Sequence, residues 1–332
     1  MHLPEEETLL KEELLKNLTQ VALCDIEPFH HKDFSYFIQA CFSKTPLHYM
    51  KTSLFDAYHL LTLWRFYQTV ISDPKIHFEH HTARVDEKTN TDASLSTMTL
   101  TMVNHDRPFI VGSLLSLLKK WGVKPCYLVH PILTVKRDNQ GRFISFEPRG
   151  TLGENIRVES FIYCPIEGDA SLFEHLQRDL PLILKDVKSA TQDWPDLLKQ
   201  VDKVCDHIQD NQHTQLGGNW LELDLFLTWL KQDHFTFLGY AYFSLYDDDH
   251  KIRRSPETHG ALGLLRNSEH CHIDKIFEGI VYRHSTRRLL YGSAPLLINK
   301  TTLISRVHRS TPMDAIGIKA FDKQGRVTGV HL

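Results

Sequence analysis

What this sequence lacks narrows its class first. It has no apolar run near the ~20 residues needed to cross a bilayer. The opening, Met1 to Pro4 followed by Glu5, Glu6 and Glu7, lacks the basic and apolar regions of a secretory signal, so the chain reads as cytoplasmic. Net charge is only -3 over 332 residues, which gives no electrostatic case for nucleic acid. Six cysteines (24, 41, 126, 164, 205, 271) contain no Cys-x-x-Cys pair and read as ordinary reduced thiols. No Gly-x-Gly-x-x-Gly follows a strand, so nothing in this segment cradles a dinucleotide pyrophosphate. Gly260-Ala-Leu-Gly263 is the nearest glycine pair and reads as a turn. No Gly-x-Ser-x-Gly surrounds Ser113, Ser160 or Ser310.

Histidine, by contrast, is abundant at 21. His77, His80 and His81 form one cluster, His270-Cys271-His272 another and His30-His31 a third. Zinc needs three or four ligands in fixed geometry, and no second half with that spacing is evident; no metal site is expected.

Hydrophobic residues at 42% and charged residues at 24% suit a globular protein of two compact domains, with a helical annex. Glu5 to Val21 carries Leu9, Leu10, Leu14, Leu15 and Leu18, and Leu54 to Val70 carries Tyr58, Leu61, Trp64 and Tyr67. Both spacings predict amphipathic helices, the second ended by Asp73-Pro74. The Leu and Trp stripes read as core or subunit contact rather than a membrane face, because basic residues do not line the opposite side. The polar stretch 84–93 reads as a linker, so residues 1–93 form a helical segment.

From Ser94 the period becomes two. Met98, Leu100 and Met102 alternate with threonines, as in a strand with one buried face. Asp106 can cap a following helix and Pro108 suits its first turn; the helix carries Ile110, Leu114, Leu117, Leu118 and Trp121 inward and stops at Gly122. Strands are expected over 126–136, 142–146 and 159–163, with a turn at Asp138 to Gly141. A long amphipathic helix follows, through Leu172, Leu176, Leu180, Ile183 and Val187, with Pro181 a point where it can break. The order β-α-β-β-α is an α+β sandwich. After Gly217-Gly218 a second α+β unit begins, with a helix over 220–230 and strands over 234–246, 296–307 and 316–321, the last entering a turn at 322–325. The chain stops in mid-strand, as a segment of a longer polypeptide would.

Several blocks resemble the N-terminal region of the large bacterial NAD-dependent glutamate dehydrogenases. They are Arg107-Pro-Phe-Ile-Val-Gly-Ser113, His130-Pro131, Glu159-Ser-Phe161, Asp186-Val-Lys-Ser-Ala-Thr-Gln-Asp-Trp194, His234-Phe-Thr-Phe-Leu-Gly-Tyr240 and the long run Arg306 to Gly329. The resemblance implies an ACT-like domain over 94–205 and a PAS-like domain over 216–332. It implies a homo-oligomeric parent enzyme that oxidises glutamate with NAD, with the rest of that chain as partner and no cofactor held in this segment. Asn104, Asp106, Arg107 and Phe109 form the candidate ligand-binding turn for an amino-acid effector. Amino-acid-sensing ACT domains usually carry Asp-Arg-Pro-Gly there; Phe109 fills the space that glycine leaves, which favours assembly over sensing. Arg306, His308, Arg309 and Asp314 lack a nucleophile and read as a structural polar cluster. A regulatory and assembly segment is the expected function, and a stand-alone ACT/PAS-type amino-acid sensor is the alternative.

Overall fold

A computed structural model describes residues 5–51, 55–69, 74–81, 96–210, 220–248, 251–254, 259–266, 294–322 and 324–332. The linker expected at 84–93, the Gly217-Gly218 start and the His270-Cys271-His272 cluster lie outside them. The fold is α+β, with two antiparallel sheets in two compact units. The first unit comprises residues 1–107 and 118–181, the second residues 108–117 and 182–332.

In the first unit, helices α1 (Glu5–Leu23), α2 (His31–Phe42), α3 (Leu47–Met50) and α4 (Ala57–Gln68) precede strand β1 (Lys75–His81). Strand β2 (Ser96–His105) leads to α5 (Ile110–Lys120), whose residues 110–117 count with the second unit, then to β3 (Lys124–Pro125), β4 (Ile132–Arg137), β5 (Phe143–Phe146), β6 (Ile156–Gly168) and α6 (Ala170–Gln192), whose residues 182–192 do likewise. The sheet order is β1-β2-β6-β4-β5, with β3 also on β6. Strand β1 departs from the wholly helical segment expected before residue 94. Its seven residues pair with β2 from Lys75↔Val103 to His81↔Thr97, and the ladder satisfies backbone groups that a short isolated helix would leave to water.

The N-terminal helices pack on one face of this sheet. Phe34, Phe37 and Phe42 of α2 and Leu60, Trp64 and Tyr67 of α4 share a core with Val103, Leu133, Val135, Phe161 and Tyr163. Each such buried side chain contributes about 1.5–3 kcal/mol. This cover corrects two expectations. Strand β2 is buried on both faces, Thr99 and Thr101 included, because the face they occupy lies under helices. The helical stripes are also narrower than expected: Leu15 is buried, whereas Leu9, Leu10 and Tyr58 are exposed.

Helix α5 ends as its sequence predicts. Gly122 takes φ 65°, its amide bonds Lys119 O, and Val123 N reaches Leu118 O at 3.0 Å, the paired bonds of a Schellman stop. The start differs. Pro108 lies outside the helix, and Phe109 O accepts the first helical bond, from Ser113 N at 2.9 Å. Helix α6 runs unbroken through Pro181.

The second unit continues with α7 (Trp194–Asp210), α8 (Trp220–Trp229), β7 (Gly239–Asp248), β8 (Lys251–Arg254), β9 (His259–Gly263), β10 (Leu296–Ile304), β11 (Pro312–Phe321) and β12 (Val327–His331). The order is β10-β11-β12-β7-β8, with β9 also on β7. Strand β7 starts at Gly239 rather than His234, because Leu230–His234 closes α8 as a wide π turn with Asp233 at φ 61°. The 260–263 stretch is a strand rather than a turn, with Gly260 and Gly263 both at positive φ. A Cβ on Gly263 would strike Leu238 O, so glycine is required there. Helices α7 and α8 bury Val204, Ile208, Leu223 and Leu227 with Ile318 and Phe321 of β11. None of the described helices is long and apolar enough to cross a membrane.

Candidate functional site

The turn between β2 and α5 gathers three of its four expected residues in the first unit. Asn104 is buried, and its Oδ1 accepts a hydrogen bond from the Arg107 guanidinium at 3.0 Å. The Asp106 amide bonds Val158 O at 2.9 Å. Its carboxylate accepts from Ser160 Oγ at 2.6 Å rather than capping α5, and His130 Nε2 lies 3.0 Å from the same hydroxyl. The chain of contacts is therefore Asp106, Ser160, His130.

These are the residue types of a hydrolytic triad in the wrong order for that chemistry. A triad needs histidine between serine and carboxylate, taking the serine proton while the carboxylate orients the ring and stabilises the imidazolium that forms. Here the serine stands in the middle and gives its proton bond to the carboxylate. Ser160 is also wholly buried. Burial holds the His130 imidazole below its ordinary value, against the opposing pull of Asp106. A neutral imidazole suits a hydrogen-bonded joint between β6 and the 106 turn.

Phe109, the fourth residue, belongs to the second unit. Its φ is 75°, the left-handed region in which a side chain costs about 1–2 kcal/mol. Its ring sits 4.9 Å from that of His308, and the His308 amide donates to Ser113 Oγ at 3.0 Å. A Cβ on Gly112 would already lie 3.3 Å from His308 O. At the start of α5 the Phe109 ring and the 308 backbone thus lie against residues 109–113.

Arg306, His308, Arg309 and Asp314 do not gather into one cluster. Arg306 pairs with Asp186 of α6 at 2.6 Å, and Asp314 with Lys300 at 2.9 Å. Arg309 is exposed and has no ion-pair partner among the described residues. His308, at φ 66°, carries the contacts to α5. His308, Arg309 and Asp314 do share a cavity of the second unit.

The histidines of β1 also separate. His80 meets Phe173 and Gln177, whereas His81 bonds Thr99 Oγ1 at 2.9 Å. No group of three or more metal-ligand types forms among the described residues. Four thiols are unsuited to attack. Burial pushes Cys41 up, and raises Cys164 to about 12 and Cys205 to about 11; Cys126 reaches about 11 through burial and the nearby Glu167 carboxylate. All four stay protonated at neutral pH.

Sequence reasoning missed the most heavily built polar centre. Arg137 and Glu159 are each 1% exposed and form a forked pair, Nε to Oε1 at 2.7 Å and a terminal nitrogen to Oε2 at 2.9 Å. Tyr67 Oη donates to Oε2 at 2.9 Å, and Arg157 Nε stands 2.9 Å from Oε1. Arg137 also donates to Tyr67 O and Gly141 O. Burial and the adjacent carboxylate push the Tyr67 hydroxyl well above its ordinary value. The signal was present in Glu159-Ser-Phe161, where Glu159 and Ser160 both prove to be anchors, but its partners lie on other elements. In the second unit, Asp193 plays a comparable part, accepting from Gly263 N at 2.7 Å and from the Arg266 guanidinium.

Against this geometry the chain can be compared with known proteins. Residues 37–180 match the model of the glutamate dehydrogenase ACT1 domain. The chain is 26% identical to the NAD-specific glutamate dehydrogenase of Halomonas elongata, an alignment covering 99% of this chain and 20% of that protein. It is 27% identical to the NAD-specific glutamate dehydrogenase of Pseudomonas aeruginosa, over 70% of this chain and 14% of that protein. The chain thus spans about a fifth or less of the length of these relatives. It matches an N-terminal region of the large NAD-specific glutamate dehydrogenases, and residues 37–180 within it match that family's ACT1 domain.

Proposed function

We propose that this chain is a non-catalytic regulatory and assembly segment of an NAD-dependent glutamate dehydrogenase. The parent reaction would convert L-glutamate, NAD and water to 2-oxoglutarate, ammonium and NADH, with the chemistry housed elsewhere in a homo-oligomeric, cytoplasmic polypeptide. The observation that carries this reading is the use made of the β2–α5 turn. Asn104, Asp106 and Arg107 are each bonded to protein groups, and Phe109 holds the position where an amino-acid sensor would keep glycine. Polar residues spent on one another position a scaffold rather than a substrate.

Residues 94–205 would be the ACT-like domain and 216–332 a PAS-like one. The second sheet supports the latter: its first and last strands, β7 and β12, are neighbours in its middle, and α7 and α8 cover one face.

Steady-state assays test the proposal. The purified chain should show no glutamate-dependent NAD reduction. Removing it from the full polypeptide should change the subunit stoichiometry or the substrate response. Turnover by the isolated chain, or a deletion that leaves both assembly and kinetics unchanged, overturns the reading.

A further inference from the structure

The second unit encloses a cavity of about 300 Å³. Leu197, Val201 and Val204 of α7 and Leu227 and Leu230 at α8 form one wall, and Ile316 and Ile318 of β11 form part of the other. The exposed members of the lining, Arg309, Thr311, Pro312 and Asp314, come from one segment and mark the mouth.

Four polar side chains of the interior are already committed. Thr301 Oγ1 donates to Met313 O at 2.9 Å, Ser305 Oγ to Val307 O at 2.8 Å, and Tyr240 Oη lies 2.8 Å from His331 Nδ1. The inner walls therefore reward apolar contact rather than new hydrogen bonds. Burial, reinforced by His207, pushes His331 down to about 4, so its ring adds no charge at neutral pH. At the mouth, Asp314 is matched by Lys300, and the Arg309 guanidinium has no ion-pair partner among the described residues.

We infer that this cavity is a binding site for a small apolar carboxylate, whose body fills the space under α7 and α8 and whose anionic end meets Arg309. Size sets the class more narrowly. A cavity of about 150 Å³ holds benzene, so this one accommodates about a dozen non-hydrogen atoms. An aryl-alkyl or branched aliphatic acid has that bulk, whereas a dinucleotide or a sugar phosphate exceeds it or wastes polar groups on an apolar wall. The inference rests on the second unit alone and holds whether or not the chain is joined to a dehydrogenase.

Calorimetric titration of the purified chain with 3-phenylpropionate, and with 3-phenylpropanol as its uncharged counterpart, tests it. The acid should bind one-to-one and saturate at about a millimolar or below, the range expected of so small a ligand. Val201→Trp, which places an indole in the cavity, should weaken both compounds at least about tenfold through lost volume. Arg309→Ala should weaken the acid roughly three- to tenfold, the range for a partly exposed charge-assisted contact, and leave the alcohol within about twofold. No saturation with either compound, indifference to Val201→Trp in a folded variant, or equal losses of acid and alcohol in Arg309→Ala would each overturn the site. If Val201→Trp fails to fold, judged by circular dichroism, the exposed Arg309 substitution decides the matter alone.

Discussion

The two units use the space between helices and sheet in opposite ways. In the first, aromatic rings of α2 and α4 fill it, and a forked ion pair with a tyrosine is locked at its edge. In the second, α7 and α8 leave room for about a dozen atoms, and Thr301, Ser305, Tyr240 and His331, which face that room, are already hydrogen-bonded. A filled interior maximises packing and positional definition; an unfilled one gives up that packing and can accept a guest. Similar elements, two helices over an antiparallel sheet, thus suit one unit to framework and the other to reception.

Substitutions can break or sharpen this contrast. The largest effect should come from Glu159→Gln, which strands the Arg137 guanidinium in the interior. A loss of about 3–5 kcal/mol in urea unfolding is expected for a broken buried pair, and a loss under about 1 kcal/mol would show that the pair is no keystone. Next, acidification should weaken the second unit through His331. Its folded value lies below its unfolded one, so the unfolded chain takes up the proton first. Stability is then full above about pH 6.5, falls as pH drops toward 4, and levels off below that, by on the order of 3 kcal/mol at most. His331→Asn should flatten that part of the stability–pH curve. His59 and His130 of the first unit, both lowered by burial, should add slope of the same sign.

One added methylene compares the interiors directly. Val135→Leu, in the filled core of the first unit, should cost about 1–3 kcal/mol by overpacking. Val201→Leu, at the cavity wall, should cost under about 0.5 kcal/mol or stabilise slightly. Equal costs would mean that the two interiors are equally full. The smallest expected effect is at Phe109. Phe109→Gly relieves the left-handed backbone but loses the ring against His308, so stability should stay within about 1 kcal/mol of the parent. Phe109→Ala loses the ring and keeps the strain, and the gap between the two variants, about 1 kcal/mol, reads that strain.

Local rules made part of this structure legible. Helix α5 and its glycine stop follow from Leu114, Leu117, Leu118 and Gly122, because the period and the left-handed residue lie side by side in the chain. The turn at Asp322 to Gly325 is similarly local: Asp322 accepts from the amides of Gln324 and Arg326. Features made by distant residues were hidden. Thr99 and Thr101 look like a solvent face until helices from earlier in the chain cover them. Lys75–His81 has too little apolar alternation to announce a strand, and becomes one by pairing with β2. For the candidate site, Asn104, Asp106 and Arg107 were marked, yet Ser160, His130 and Arg137 could not be joined to their partners before β6 was placed. Arg306, His308 and Asp314 are near one another in sequence and still find separate partners, while Arg309 faces solvent, because neighbouring strand and loop positions point different ways. The cavity has no sequence signature at all, since it depends on what does not meet.

The central placement of β12 has a consequence in time. Ser244 of β7 pairs with Gly329 of β12, so during synthesis β7 must wait for most of the second unit to leave the ribosome before it gains that neighbour. Until then it presents an open edge able to recruit other strands, and closure joins segments far apart in sequence, the slow kind of folding step. Among the described strands of this unit β12 comes latest in the sequence, and its arrival closes that edge of β7.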